Sequence, residues 1–130
     1  MAIAILMSVA AFGQGKKTIK EKGITSITVQ EYFIDEGMRR PVVESVETYN
    51  KNGDLIEIKE FSKREEIQKW EKYVYDSQGN LVEEIFLDER GDVERREKNV
   101  YKDGLRVEKQ YFDDRDRLTK RKVYEYEYSR

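Results

Sequence analysis

A short phrase returns along this chain: an aromatic residue, Asn or Asp, two polar residues, Gly, a small polar residue, then Leu or Val. It reads Tyr49-Asn50-Lys51-Asn52-Gly53-Asp54-Leu55 and again Tyr75-Asp76-Ser77-Gln78-Gly79-Asn80-Leu81. Leu87-Asp88-Glu89-Arg90-Gly91-Asp92-Val93 and Phe112-Asp113-Asp114-Arg115-Asp116-Arg117-Leu118 are two further copies, and Tyr101-Lys102-Asp103-Gly104-Leu105 is a shortened one. An internal repeat restricts the architecture before any single residue does, because each unit must bury its apolar side against the next. The phrase is a turn instruction. Asn or Asp accepts a backbone hydrogen bond two residues on, and the Gly supplies the left-handed conformation of a bulged hairpin. Asp116 takes the Gly position in the last copy, and Asp tolerates that conformation. Asp103-Gly104 suits a two-residue type I′ turn.

Turn signals at Gly37, Gly53, the polar stretch Ser62 to Glu66, Gly79, Gly91, Gly104 and Asp116 recur at about 12 to 16 residues, the spacing of a many-stranded protein. Between them the residues alternate. Ile27, Val29 and Phe33 share one face; Leu81, Ile85 and Leu87 align; Leu105, Val107 and Tyr111 do likewise. Tyr73 and Tyr75 oppose Trp70 and Val74 on one strand, and Tyr124, Tyr126 and Tyr128 form a last stripe. The expected fold is all-β: an antiparallel meander of repeated hairpins in an elongated, largely single-layer sheet. Helical spacing of Ile67, Trp70 and Val74 after a capping-box-like Ser62-Lys63-Arg64-Glu65 offers a short helix as the alternative. The strand is preferred because Tyr73 to Asp76 lead directly into a turn. Glu94-Arg95-Arg96-Glu97-Lys98 is charged on both faces, so this strand is expected to be buried on neither, its charges paired with neighbouring strands.

Composition limits the chemistry. Lys+Arg 25 against Asp+Glu 27 leaves a net charge of −2, too small a field to gather nucleic acid. There is no Cys, hence no disulfide or thiolate metal site within these residues, and no His, the commonest general base. Adjacent carboxylates such as Glu83-Glu84 and Asp113-Asp114 point to opposite faces of a strand and do not converge as a glycosidase pair. Asp113, Asp114 and Asp116 match no calcium loop, and their place in a turn already accounts for them. The chain is therefore expected to be no enzyme, with no catalytic residues, metal or cofactor. The apolar run Ile3 to Val9 is too short to cross a bilayer, so no membrane span is expected. With Ala11 and Gly13 before Gln14 it fits a secretory signal peptide over residues 1–13, although the basic start is missing. The alternative is a native buried strand from Ile3 to Phe12. Residues 14–130 are expected to form one β-repeat domain.

Lys72-Tyr73-Val74-Tyr75-Asp76-Ser77-Gln78-Gly79-Asn80-Leu81 resembles the YD repeat of RHS-type bacterial surface proteins. It is also similar to variant MORN repeats of small bacterial β proteins, some of them antitoxins. The resemblance covers about residues 49–128 and is close only at 73–81. It implies successive hairpins in one long sheet and carries over no active site.

The aromatic side chains are the one feature with binding potential. Trp70, Tyr124, Tyr126 and Tyr128 offer flat rings for a partner or a sugar, while the simpler reading uses them as a core poor in aliphatic residues. The expected role is non-enzymatic: a structural or protein-interaction protein of the bacterial cell envelope, secreted or periplasmic, with a protein partner or a second copy at the sheet edge. The alternatives are an antitoxin-like or immunity-like protein binder and a carbohydrate-binding module. Specific features are expected where the phrase breaks, at Ser62 to Trp70 and after Asp116.

Overall fold

The structure, a computed structural model, describes residues 15–37 and 40–129. The leader expected at 1–13 lies outside the described residues. A short helix α1 (Lys16–Lys22) precedes eight strands: β1 (Ser26–Glu31), β2 (Val42–Tyr49), β3 (Leu55–Phe61), β4 (Ile67–Tyr75), β5 (Leu81–Leu87), β6 (Val93–Lys102), β7 (Leu105–Phe112) and β8 (Leu118–Val123). All lie in one open sheet in the order β1 to β8, each antiparallel to the next. The meander read from the turns is the fold.

The repeated phrase builds the same turn each time. Asn50, Asp76, Asp88 and Asp113 accept, on Oδ1, the backbone N–H groups two and four residues on, at 2.9–3.0 Å. Those amides hold the Asp76, Asp88 and Asp113 carboxyls below their usual range. The residue that must turn left-handed is Gly79 at φ 84° or Gly91 at 86°. The first residue of the phrase sits at a register shift, as at Val74/Tyr75 and Phe86/Leu87, so a β-bulge precedes the turn. Ser62 to Glu66, taken above for a break in the repeat, is a further copy. Ser62 Oγ accepts the amides of Arg64 and Glu66 at 3.2 Å, and Glu65 adopts φ 63° in the Gly position. The alternative helix at 62–74 is thereby excluded: β4 starts at Ile67.

Helix α1 was not foreseen. Seven residues cannot hold a helix alone; Ile19, at 1% exposure, anchors it on Tyr49, Leu55, Ile58 and Tyr73. Burying Ile19 and Ile58 is worth about 1.5–3 kcal/mol each. Gly23 then stops the helix in the left-handed conformation, and Lys16 Nζ pairs with Asp54 at 2.8 Å. Phe33 does not continue β1, which ends at Glu31 and is followed by a 3-10 turn at Ile34–Glu36.

Opposed residues of antiparallel neighbours share a face. On the helix-bearing face one row crosses the sheet as Ile27, Glu47, Ile58, Glu71, Phe86 and Arg95. A second runs Tyr73, Glu84, Glu97, Tyr111, Lys120. The opposite face carries cross-strand ion pairs: Lys72–Glu57 at 3.7 Å, Arg96–Glu83 at 2.9 Å, and Arg121–Glu108. The expectation that β6 is buried on neither face is overturned. Glu97 and Asn99 are buried, as are Glu47, Glu71, Glu84 and Lys109 on neighbouring strands. Partners make this tolerable. The Tyr49 and Tyr73 hydroxyls donate to Glu47 and Glu71, and Lys109 sits between Glu84 and Glu97.

Candidate functional site

The four aromatic residues singled out by sequence do not form one surface. Trp70 lies in β4, and Tyr124 follows β8, four interstrand spacings or about 19 Å apart across the sheet alone. Trp70 is engaged within the sheet: Lys59 Nζ lies 4.1 Å from the ring centroid, and Nε1 donates to Glu57 at 3.2 Å. Its ring edge stands over Gly91, where a Cβ would meet it at 3.0 Å. Tyr124, Tyr126 and Tyr128 are not a strand, since β8 ends at Val123. For Tyr128 the reason lies in β7, which starts at Leu105 after a two-residue turn and leaves residues past Tyr126 nothing to pair with. Tyr124 N–H still donates to the Val107 carbonyl at 3.0 Å, and the Arg106 guanidinium covers its ring at 4.5 Å. Tyr126 donates its hydroxyl to the Arg106 carbonyl at 2.5 Å, and Tyr128 is 76% exposed.

The Tyr126 bond belongs to a series. Tyr75 donates to the Leu55 carbonyl at 2.8 Å and Tyr101 to the Leu81 carbonyl at 2.9 Å, each bridging 20 residues as Tyr126 does. The repeating structural unit is therefore one two-stranded hairpin, twice the period of the turns. Tyr126 is the last of these tethers and is a packing residue first.

Two arrangements on the described residues lie outside the four aromatic residues singled out by sequence. The first is a buried charge cluster. Lys109 Nζ lies 3.1 Å from Glu97 and 3.7 Å from Glu84, and neither Glu84 oxygen has a hydrogen bond. Burial pushes the Glu84 carboxyl above its usual range; Lys109 opposes this, while Glu97 and Glu71 add to it. Among the described residues no group of acidic side chains is placed to hold a metal ion. Nothing in the local sequence separates these carboxylates from the solvated ones. Only the register, which sets Glu84 against Glu97, could reveal them.

The second is the edge strand β8. It pairs only with β7, and all six of its residues are exposed. Lys120, Arg121 and Lys122 make it basic, with Lys120 and Lys122 at 4.2 and 5.6 Å from the Tyr111 ring centroid. Hydrogen bonding to Tyr111 raises the Lys122 ammonium above its usual range. Beside the strand an open hollow of about 400 Å³ is lined by Arg95, Tyr111, Phe112, Asp113 and Lys120. Because the amides of even-numbered residues such as Tyr124 point toward β7, those of Arg121 and Val123 point outward. This edge is a row of backbone groups able to take another strand. No helix among the described residues is long and apolar enough to cross a membrane. No protein-family model matches the chain, and a search of curated proteins found no match.

Proposed function

We propose that this chain is a non-enzymatic interaction protein of the bacterial cell envelope, secreted or periplasmic, which binds a protein through β8. The observation that carries the reading is the edge itself: among the described residues β8 is exposed along its whole length and pairs with no strand on its outer side. Strand addition to such an edge draws affinity from main-chain hydrogen bonds and selectivity from flanking side chains. Lys120, Arg121 and Lys122 favour an acidic partner strand. The resemblance to YD and variant MORN repeats supports a scaffold role, and the leader-like residues 1–13 support export. The ring of Trp70 is taken up by Lys59, Glu57 and Gly91, which favours a protein over a sugar as the partner.

The test has two arms. Fractionation of the native cell, with N-terminal sequencing of the product, should find the chain outside the cytoplasm and beginning near Gln14. Affinity capture from envelope extract, comparing the native chain with Lys120→Glu/Lys122→Glu, should lose its partner in the variant while the unfolding curve stays close to native. Equal capture by both proteins removes β8 from the proposal, and an intact cytoplasmic chain removes the envelope.

A further inference from the structure

Resting on the reading of β8 as the working edge, we infer that its occupant is β8 of a second copy, giving a two-fold dimer with a continuous sheet. Residues 120–127 read Lys-Arg-Lys-Val-Tyr-Glu-Tyr-Glu: a basic half followed by an acidic and aromatic half. A strand with that polarity complements itself when it is turned around. Lys at an edge ordinarily keeps neutral strands away, but it accepts a strand carrying Glu and Tyr. In this protein residues 124–127, just after the lysines and beyond the end of β8, supply that segment and extend the strand on pairing.

Geometry restricts the register. Two antiparallel strands related by a two-fold axis must have the axis perpendicular to the sheet, so the helix-bearing faces of both copies lie on one side. Opposed residues then share a face, which requires both to be odd-numbered or both even-numbered. The hydrogen-bonding requirement agrees, because the outward amides of β8 belong to odd-numbered residues. With the axis on Val123, Arg121 opposes Glu125 of the second copy. Lys122 then opposes Tyr124, Lys120 opposes Tyr126, and Val123 meets Val123. Each heterotypic pairing occurs twice by symmetry. Moving the axis to Lys122 sets that ammonium against its own copy, and moving it to Tyr124 sets Val123 against Glu125. The Val123 axis has neither conflict.

The monomer leaves room for these contacts. Val123 is 64% exposed and Tyr126 42%. Arg121 already meets Glu108 through Nε, and its remaining guanidinium N–H groups are the donors that would reach Glu125. The Tyr126 tether to Arg106 uses the hydroxyl and leaves the ring for Lys120. Head-to-tail pairing of β8 with β1 is the other way to satisfy the edge. It fits poorly, since Ser26–Glu31 carries a single acidic residue and such a contact would propagate into filaments.

Sedimentation equilibrium of the 130-residue chain at low and high salt tests the inference. A dimer that weakens with salt is expected. Glu125→Arg should raise the dissociation constant at least tenfold, and Arg121→Glu/Glu125→Arg should return it to near the native value. Rescue by the double exchange is specific to the Val123 axis; its absence overturns the register. Since the chain has no native thiol, Val123→Cys should cross-link to a covalent dimer under mild oxidation, whereas Gly79→Cys at a distant turn should not. A monomer at all concentrations, or filaments, overturns the dimer. If the monomer nevertheless captures a partner that Lys120→Glu/Lys122→Glu loses, the edge reading stands and only the second copy falls. If a dimer with the Val123 axis forms and capture ignores those charges, β8 is the dimer seam and the separate envelope partner falls.

Discussion

Buried charge decides most at the level of single residues. Glu84 and Glu97 face each other across β5 and β6, and Lys109 makes their burial possible. Removing one partner of a buried ionic group leaves the others uncompensated, so Lys109→Met should destabilise the fold by about 3–5 kcal/mol in urea unfolding. The pH dependence has a definite sign. Because burial raises the Glu84 carboxyl above the unfolded value of 4.5, the native state holds that proton more tightly. Stability from this group is present below 4.5 and is lost as pH rises through the native value. Glu84→Gln should therefore reduce the fall in stability as pH rises above the unfolded value of 4.5. The turn carboxyls act in the opposite sense. Asp76, Asp88 and Asp113 are held below 3.8, so their contribution is present above that value and is lost as pH falls through the native one. Asp88→Asn retains the Oδ1 acceptor and should remove part of the acid sensitivity without breaking the turn; Asp88→Ala should loosen the hairpin, as seen in amide exchange at Arg90 and Asp92.

Turns and the helix divide the labour among elements. Gly79 and Gly53 have nearly the same conformation, at φ 84° and 82°, yet their surroundings differ. A Cβ at Gly79 meets nothing within 4 Å, whereas one at Gly53 would stand 2.5 Å from the Lys16 carbonyl oxygen. Gly79→Ala should cost about 1–2 kcal/mol of left-handed strain. Gly53→Ala should cost clearly more, because it also pushes α1 from the core, and comparison of the two urea midpoints checks this. The turns were legible because a turn is local: Asx, Gly and their spacing act within a few residues. The copy at Ser62 escaped notice because Ser and Glu fill the same roles with different letters. Helix α1 was hidden for a different reason. Its seven residues contain one apolar anchor, Ile19, and no periodicity can show what that anchor will meet.

Over the whole molecule, each tyrosine tether closes one hairpin: Tyr75 ties β4 to β3, Tyr101 ties β6 to β5, and Tyr126 ties the chain after β8 to β7. Tyr101 donates across 20 residues to Leu81 from a half-buried position, so Tyr101→Phe should lower stability by about 1 kcal/mol in urea unfolding. Tyr126→Phe, at the exposed end of the series, should lower it less. The aromatic residues illustrate how a candidate site can mislead. Sequence marked Trp70 and the last three Tyr by their chemistry, but that chemistry is largely consumed by Lys59, Glu57, Gly91 and the Arg106 carbonyl. The sequence pointed to a sheet edge and to the residues after Asp116, but not to β8 itself, because Leu118–Val123 looks like any other charged strand until the sheet leaves it last.

What the sequence determined by itself is the succession of strands: seven turn signals, alternating side chains and an antiparallel meander follow from interactions within a few residues. Tertiary structure alone decided which face α1 covers, which carboxylates are buried, and which strand is left at the basic edge. Those outcomes depend on cross-strand register and on sheet order. A charged residue has the same local preferences in solvent or facing Lys109, and only its neighbours from distant segments distinguish the two.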